Sequence, residues 1–266
     1  MIINHFEKNI MVSRILFVLI LIFSISGCSE EEPTSVPPPL KNDLVDCGSF
    51  NLNPQQPLPY RLEKSQHWVV MGSSSAAGAG ASHPSKNWVG LLRAELAPQG
   101  VTIHNIAKGG HTTYHALSKR CSVDGKRFQP DPQHNIDRAF NYKPDLVILN
   151  YPGNDQALNY AEQEPVVNLL RLRSELLESN IPVLILSSQP RRQNLSLQKR
   201  LIRFNELIQP LSSPCFVETF SHLQNDHGFL KSDFDYDGVH LNDAGHEIVF
   251  KAIMATINTK QCIELL

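Results

Sequence analysis

Four short segments of the chain combine glycine with side chains that carry a hydroxyl, an amide, a carboxylate or an imidazole. These segments are 72–75, 107–113, 151–155 and 237–242. The first three each follow an apolar run of the length expected for a strand buried in a parallel sheet. The carboxyl ends of parallel strands meet at one sheet edge, where open α/β sheets bind their ligands. We therefore expect the four segments to form one site.

The side chains in these segments are those needed for attack of a hydroxyl on a carbonyl carbon. That reaction requires a nucleophile, a base, a group that orients the base, and donors for the oxyanion. Ser74 is the candidate nucleophile and His240 the candidate base. Asp237 lies three residues before His240, so a turn can bring its carboxylate to the imidazole and fix the tautomer. The candidate oxyanion donors are the backbone amides of Ser74 and Gly110 and the side chain of Asn154.

An alternation of strand and helix patterns is predicted to position these segments. Apolar runs predict strands at 67–71, 101–106, 145–150, 182–187 and 215–219. Apolar residues at helical spacing predict helices at 85–97, 133–141, 164–180, 193–210 and 242–258. Such alternating units require right-handed crossovers and a parallel sheet covered on both faces, so the sequence predicts an α/β fold.

The four segments resemble the sequence blocks of the SGNH (GDSL-type) hydrolase family, in the same order, over residues 67–258. The family blocks fall on Gly72-Ser73-Ser74, on Gly110, on Gly153-Asn154-Asp155, and on Asp237 with His240. By this resemblance, the fold is a three-layer α/β/α sandwich with a five-stranded parallel sheet in flavodoxin-like order. The resemblance also implies hydrolysis of esters or thioesters without a metal or organic cofactor. It places catalysis on Ser74, Asp237 and His240, with Ser74, Gly110 and Asn154 forming the oxyanion hole.

The chain departs from the family pattern at three positions. Ser73 replaces the aspartate of the first block, which is not the triad acid. Ala107 stands where an earlier glycine is common in the second block. In the third block, Gly153 precedes Asn154 directly, without an intervening residue. These changes leave the candidate nucleophile, base and acid in place.

The N-terminal residues 1–27 are predicted to be a signal peptide. A short apolar run, Ile15–Ile25, follows the basic Arg14 and is too short to span a bilayer easily. It ends in Ile25-Ser26-Gly27-Cys28, which resembles a bacterial lipoprotein box and makes Cys28 the candidate lipidation site. This predicts a protein of the cell envelope that reaches the membrane through the fatty acyl groups, such as palmitate, on Cys28. The alternative is an ordinary secretory signal with a chance cysteine.

Residues 28–60 are predicted to be a tether, and 61–266 the hydrolase domain. The tether is rich in glutamate and proline and has too little apolar content to pack by itself. Cys47 and Phe50 are the residues that could dock its second half onto the domain.

The remaining cysteines and histidines do not indicate a metal site. Cys47, Cys121, Cys215 and Cys262 allow two disulfides in three possible pairings, and none has a Cys-x-x-Cys spacing. Six further histidines are interpreted as structural or surface residues: His104, His111, His115, His134, His222 and His227. We therefore predict no metal.

Two loops with basic residues leave the predicted active-site edge, at 111–132 and 188–195. The first contains Lys119, Arg120, Lys126 and Arg127, and the second contains Arg191 and Arg192. The favoured interpretation is a solvated charged loop; the alternative is a rim that receives an anionic part of the substrate. The net charge of −2 over 266 residues gives no basic field for nucleic acid.

Together, these features predict a monomeric serine esterase that hydrolyses short-chain acyl esters. Candidate substrates are small molecules or carbohydrates, including O-acetyl groups on envelope or dietary carbohydrate, because no long apolar acyl groove is evident. One alternative is an acyltransferase that passes the acyl group to a sugar hydroxyl. Others are a lysophospholipase or thioesterase, and a non-catalytic envelope binding module.

Overall fold

Five parallel strands form the central sheet of the computed structural model. They are β1 (Gln66–Gly72), β2 (Val101–Asn105), β3 (Leu146–Asn150), β4 (Val183–Leu186) and β5 (Phe216–Val217). Their order is β2-β1-β3-β4-β5, and each neighbouring pair is parallel. This is the flavodoxin-like order, so the predicted α/β fold with a five-stranded parallel sheet is confirmed.

The structure describes residues 40–52, 54, 57–63, 65–151, 153–192 and 194–266. The predicted signal segment 1–27, Cys28 and the first part of the predicted tether lie outside these residues. Among the helices in the described part of the chain, none combines the length and the apolar character needed to cross a membrane.

Nine α-helices surround the sheet in the described residues. They are α1 (Ser74–Ala77), α2 (Trp88–Leu96), α3 (Thr113–Ala116), α4 (Ile136–Phe140), α5 (Asn154–Ala157), α6 (Gln163–Glu178), α7 (Leu195–Ser212), α8 (Phe220–Leu223) and α9 (Asp243–Asn258). Short 3₁₀ turns lie at Ala97–Gln99 and Ser232–Phe234. The five predicted helices correspond to α2, α4, α6, α7 and α9, with ends shifted by up to three residues. Side-chain caps set several of these starts, since Asn87 accepts from Gly90 and Asn242 accepts from Gly245.

Alternate residues of the strands enter two separate apolar cores, one on each face of the sheet. Val69 and Met71 of β1 pack in the core that α6 and α7 cover. Trp68 and Val70 of the same strand pack in the core that α2 and α9 cover. Because successive strand side chains point to opposite faces, a continuous apolar run indicates burial on both sides. The result is a three-layer α/β/α sandwich.

Two disulfides and two small strand pairs join the chain outside the sheet. Cys47 pairs with Cys121, and Cys215 pairs with Cys262, which settles the three pairings left open by the sequence. Val45–Asp46 pairs antiparallel with Ser122–Val123, and Tyr60–Leu62 pairs parallel with Ile263–Leu265.

The described part of the predicted tether is packed against the domain. Val45 is buried, and Leu40, Phe50 and Leu52 pack against the α6/α7 core. Cys47 and Phe50, the residues expected to dock the second half of the tether, both contact this core.

Candidate active site

Ser74 lies at the point where strand β1 turns into the short helix α1. β1 ends at Gly72, where an added Cβ would lie 2.4 Å from the Asn150 carbonyl oxygen and 2.7 Å from the Ala76 Cβ. Only glycine allows this close approach of the turn to β3. As the first residue of α1, Ser74 has a backbone N–H without an intrahelical acceptor.

The three adjacent serines have different environments. Ser73 and Ser75 are 1% and 4% exposed, and their hydroxyl oxygens have no hydrogen-bond partner among the described residues. Ser74 is partly exposed, and its Oγ lies 3.1 Å from His240 Nε2. The structure therefore brings Ser74, and neither neighbour, to the imidazole.

His240 is held by the carboxylate three residues before it. The second ring nitrogen, Nδ1, lies 2.7 Å from Asp237 Oδ2. The other carboxylate oxygen of Asp237 accepts the backbone N–H groups of Val239 and His240, at 2.9 and 2.8 Å. The predicted winding of the Asp-x-x-His segment is thus present, and the two contacts place His240 between a hydroxyl and a carboxylate.

The hydrogen bonds around Asp237 favour its ionised form. Partial burial raises the pKa of this carboxyl, but bonds from the His240 ring and from the His240 and Val239 backbone outweigh it and lower the pKa to about 2. An ionised carboxylate on Nδ1 leaves Nε2 able to accept a proton from Ser74 and stabilises the imidazolium that forms.

The other two segments follow β2 and β3, the strands on either side of β1. Gly110 adopts φ +80°, in the left-handed region. Its neighbour Gly109 approaches the nucleophile, since an added Cβ there would lie 3.8 Å from Ser74 Cβ. Asn154 is the first residue of α5, and its side-chain amide donates to the His111 carbonyl at 2.8 Å. A side-chain amide carries two N–H hydrogens, so this bond orients the group and leaves one donor available.

A buried carboxylate joins the Gly110 loop to the Asn154 loop. Asp155 is 1% exposed and accepts from Thr113 Oγ1 at 2.6 Å and from Thr113 N at 3.1 Å. Asn168 of α6 donates to the same hydroxyl at 3.0 Å. Burial raises the pKa of Asp155 to about 6, although the bonds from Thr113 act in the opposite direction. This link was not predictable from the sequence, because Thr113 and Asp155 lie 42 residues apart.

His111, which directly follows Gly110, packs against two further histidines. The His111 ring stacks on His115, with centroids 4.2 Å apart, and meets His134 edge-on at 5.1 Å. Burial, together with the charges of these two rings, lowers the pKa of His111 to about 4. The prediction that these histidines are structural agrees with this packing.

The basic loops fit the predicted solvated interpretation only in part. Arg127 is part-buried and donates from Nε and Nη2 to Glu164, at 2.6 and 2.8 Å. Arg191 is 8% exposed and packs against Gly153, and Arg192 forms an ion pair with Asp235. Lys119, Arg120 and Lys126 are exposed, as expected for a solvated loop. The favoured interpretation is thus wrong for Arg127 and Arg191, which are largely buried. Arg120 and Arg192 remain 62% and 49% exposed, although each pairs with a carboxylate.

Among the described residues, no group of three or more His, Cys, Asp or Glu side chains is arranged to hold a metal ion. The described side chains at this edge of the sheet include a hydroxyl, an imidazole, a carboxylate and an amide.

Comparison with known proteins supports the likeness in sequence and fold. The model of the GDSL-like Lipase/Acylhydrolase family matches residues 70–248. The psychrotrophic esterase EstA from a Pseudoalteromonas species, in a structure inhibited by monoethylphosphonate, superposes with a TM-score of 0.52 at 16% identity, covering 73% of this chain and 97% of that one. A member of the lipolytic protein G-D-S-L family from Veillonella parvula superposes with a TM-score of 0.55 at 14% identity, covering 72% and 98%. Among curated proteins, no sequence matches the chain significantly.

Proposed function

Because the chain belongs to the GDSL-like lipase/acylhydrolase family, we propose that it is a serine esterase that hydrolyses short-chain acyl esters through an acyl-enzyme on Ser74. The observation that carries this proposal is the contact chain from Ser74 Oγ to His240 Nε2, at 3.1 Å, and from His240 Nδ1 to Asp237 Oδ2, at 2.7 Å. A binding module without catalysis would have no need for this arrangement of hydroxyl, imidazole and carboxylate.

In the proposed acylation step, Ser74 Oγ attacks the ester carbonyl carbon while its proton passes to His240 Nε2. The carbonyl oxygen becomes an oxyanion, which the N–H groups of Ser74 and Gly110 and the side chain of Asn154 stabilise. The C–O bond to the alcohol then breaks, and the imidazolium returns its proton to the departing oxygen. Asp237 holds the imidazolium through Nδ1.

In the proposed deacylation step, a water molecule takes the place of the alcohol. His240 removes a proton from the water as it attacks the acyl carbon, and the same donors hold the second oxyanion. When the bond to Ser74 Oγ breaks, His240 returns the proton to the serine and the carboxylic acid leaves.

The proposed substrate has a small acyl group on a polar alcohol. The segment after Ser74 is made of small residues, Ala76, Ala77, Gly78 and Ala79. We expect acetyl and butyryl esters, including O-acetyl groups on carbohydrate, to be cleaved well and octanoyl and longer esters poorly. A series of p-nitrophenyl esters of increasing chain length tests this, and rates that rise through octanoyl would contradict it.

Transfer of the acyl group to a sugar hydroxyl is the second candidate reaction. It uses the same acyl-enzyme, with a sugar hydroxyl in place of water in deacylation. Product analysis with and without a carbohydrate acceptor separates the two, since we expect free acid as the main product in both cases. An acylated sugar as the main product would favour transfer.

We also propose that Cys28 carries the lipid that anchors the protein in the cell envelope. The basis is the sequence Ile25-Ser26-Gly27-Cys28 after an apolar run. A fatty-acid probe fed to cells should label the wild-type protein and leave Cys28→Ser unlabelled. Equal absence of label in both forms would contradict the proposal.

A further inference from the structure

Residues 187–192, which follow β4 and are called here the β4 loop, lie against residues 235–240, called here the acid–base turn. The Gln189 side-chain amide donates to the Val239 carbonyl at 2.7 Å. The Arg192 backbone N–H donates to the Gly238 carbonyl at 3.0 Å. Both acceptors lie between Asp237 and His240 in the chain, so the β4 loop contacts the backbone that joins the acid to the base.

An ion pair between Arg192 and Asp235 also joins the β4 loop to the acid–base turn. Arg192 Nε donates to Asp235 Oδ2 at 2.5 Å, and Arg192 Nη2 contacts the same oxygen. The Asp235 side chain is 1% exposed, whereas that of Arg192 is 49% exposed. A buried carboxylate requires a partner, and a guanidinium supplies both charge and direction.

The second carboxylate oxygen of Asp235 accepts a hydrogen bond from the backbone of the acid–base turn. Asp235 Oδ1 accepts the Gly238 backbone N–H at 2.5 Å. Gly238 has φ +93°, a conformation that favours glycine and that reverses the chain between Asp237 and His240. One carboxylate therefore holds both the guanidinium of the β4 loop and the central N–H of the acid–base turn.

We propose that the Arg192–Asp235 ion pair is a positioning clamp that sets the placement of Asp237 and His240 relative to Ser74. The proposal rests on the proposed function, since it concerns how well the base meets the nucleophile. Arg192 touches none of the reacting atoms, and its charge is already engaged by Asp235. The rate of a catalysed step falls steeply when the catalytic groups are displaced by fractions of an ångström. Loosening the Arg192–Asp235 contact should therefore slow the chemical step.

The test compares Arg192→Met and Arg192→Lys with a control on an exposed ion pair. In the control, Arg203→Met, the variant breaks the exposed Arg203–Glu206 pair on α7. We expect Arg192→Met to lower kcat by about 10- to 100-fold with KM within about twofold of wild type. Arg192→Lys, which keeps the charge, should recover most of kcat, and Arg203→Met should equal wild type.

Two outcomes of these kinetics would overturn the clamp. An unchanged kcat in Arg192→Met would show that the ion pair does not position the base. A rise in KM alone, confined to esters that carry a negative charge, would show that Arg192 binds substrate instead. If Arg192→Met does not fold because Asp235 is left unpaired, the double variant Arg192→Met/Asp235→Asn removes both charges and keeps an acceptor for Gly238. It should show the same loss of kcat, and wild-type kcat in the double variant would also contradict the clamp.

A spectroscopic readout separates failure of the clamp from failure of the proposed function. The ¹⁵N chemical shifts of the His240 ring report its tautomer and its bond to Asp237, and they are assigned by their loss in His240→Gln. In Arg192→Met, these shifts should move toward those of Asp237→Asn; unchanged shifts would overturn the clamp. If the wild-type protein hydrolyses no ester, the proposed function fails, and the ring shifts still decide the clamp.

Discussion

The candidate site has two halves, which are held in place in different ways. The acid–base half is Asp237 and His240, and the oxyanion half is the proposed donors, namely the N–H groups of Ser74 and Gly110 and the side chain of Asn154, with the loops that carry them. In the acid–base half, the Asp237 and His240 side chains are 41% and 27% exposed and are fixed by short bonds within one turn. In the oxyanion half, Asp155 and Thr113 are buried and connect loops that are distant in sequence. The side-chain amide of Asn154 is oriented by its hydrogen bond to the carbonyl of His111.

This difference follows from what each half has to do. In the proposed mechanism, the imidazole exchanges protons with the serine, the leaving alcohol and water, so it has to reach solvent and substrate. Oxyanion donors stabilise charge best when they are aimed before the reaction and do not reorganise during it. Burial within a hydrogen-bonded polar network suits the oxyanion donors. A solvent-facing turn that the β4 loop contacts from outside suits the imidazole.

The largest expected loss of kcat comes from removing the proposed nucleophile while the oxyanion half is kept. Ser74→Ala removes the hydroxyl that meets His240 and leaves its backbone N–H in the oxyanion half. Loss of such a nucleophile lowers kcat by about 10⁶-fold, and the rate that remains above water comes from donors and binding. Steady-state assays should show this loss, with the oxyanion half alone supporting the residual rate.

Ser73→Ala and Ser75→Ala are the matched controls, because both hydroxyls are buried and form no hydrogen bond within the described part of the chain. They should keep kcat near that of wild type. A loss comparable to that of Ser74→Ala in either variant would mean that the nucleophile is misassigned.

A smaller effect is expected when the oxyanion half is changed alone. Asn154→Ala removes one side-chain donor, and loss of one such donor costs about 10²- to 10³-fold in kcat. KM should change little, since the donor acts mainly in the transition state. If KM rises strongly at normal kcat, Asn154 binds the ground state and the comparison between the halves fails.

The smallest expected effect is a loss of folding stability at acidic pH, which depends on His111. The folded-state pKa of His111 is about 4, against 6.5 for a free imidazole, so the unfolded chain takes up the proton more readily. The contribution of this residue to stability is complete above about pH 6.5 and is lost as the pH falls toward 4, by at most about 3 kcal/mol. Asp131, Lys108, His115 and His134 face the same ring and are included in that pKa.

Urea unfolding at a series of pH values measures this loss. His111→Phe should give a shallower fall in the free energy of unfolding between pH 6.5 and 4. The carboxyl of Asp237, with a pKa of about 2 in the folded protein, stays ionised there across that range, so most of its own contribution to stability is lost only below about pH 4. Parallel pH curves for wild type and variant would show that the buried histidine is not the acid-sensitive element.

The sequence predicted those features that depend on local pattern. Five apolar runs predicted the five strands, and the Asp-x-x-His spacing predicted the contact between Asp237 and His240. Each of these features involves residues only a few positions apart in the chain. The contact of Ser74 with His240 spans 166 residues. It was predictable because the order of strands and turns brings both segments to one edge.

Features that depend on side chains from separate loops were not predictable. Arg192 was predicted to be solvated or to face the substrate, and its actual partner, Asp235, lies 43 residues away. The Asp155–Thr113 link and the pairing of the four cysteines depend in the same way on tertiary contacts. Charge and residue type alone do not show which of many acceptors a guanidinium will meet.

Covalent labelling tests the central claim, that Ser74 is a nucleophile activated by His240. A fluorophosphonate probe reacts with an activated serine and remains attached, so peptide mapping identifies the residue. We predict label on Ser74, its loss in Ser74→Ala, and much slower labelling in His240→Gln. Label on Ser73 or Ser75, or labelling that persists in Ser74→Ala, would contradict the account.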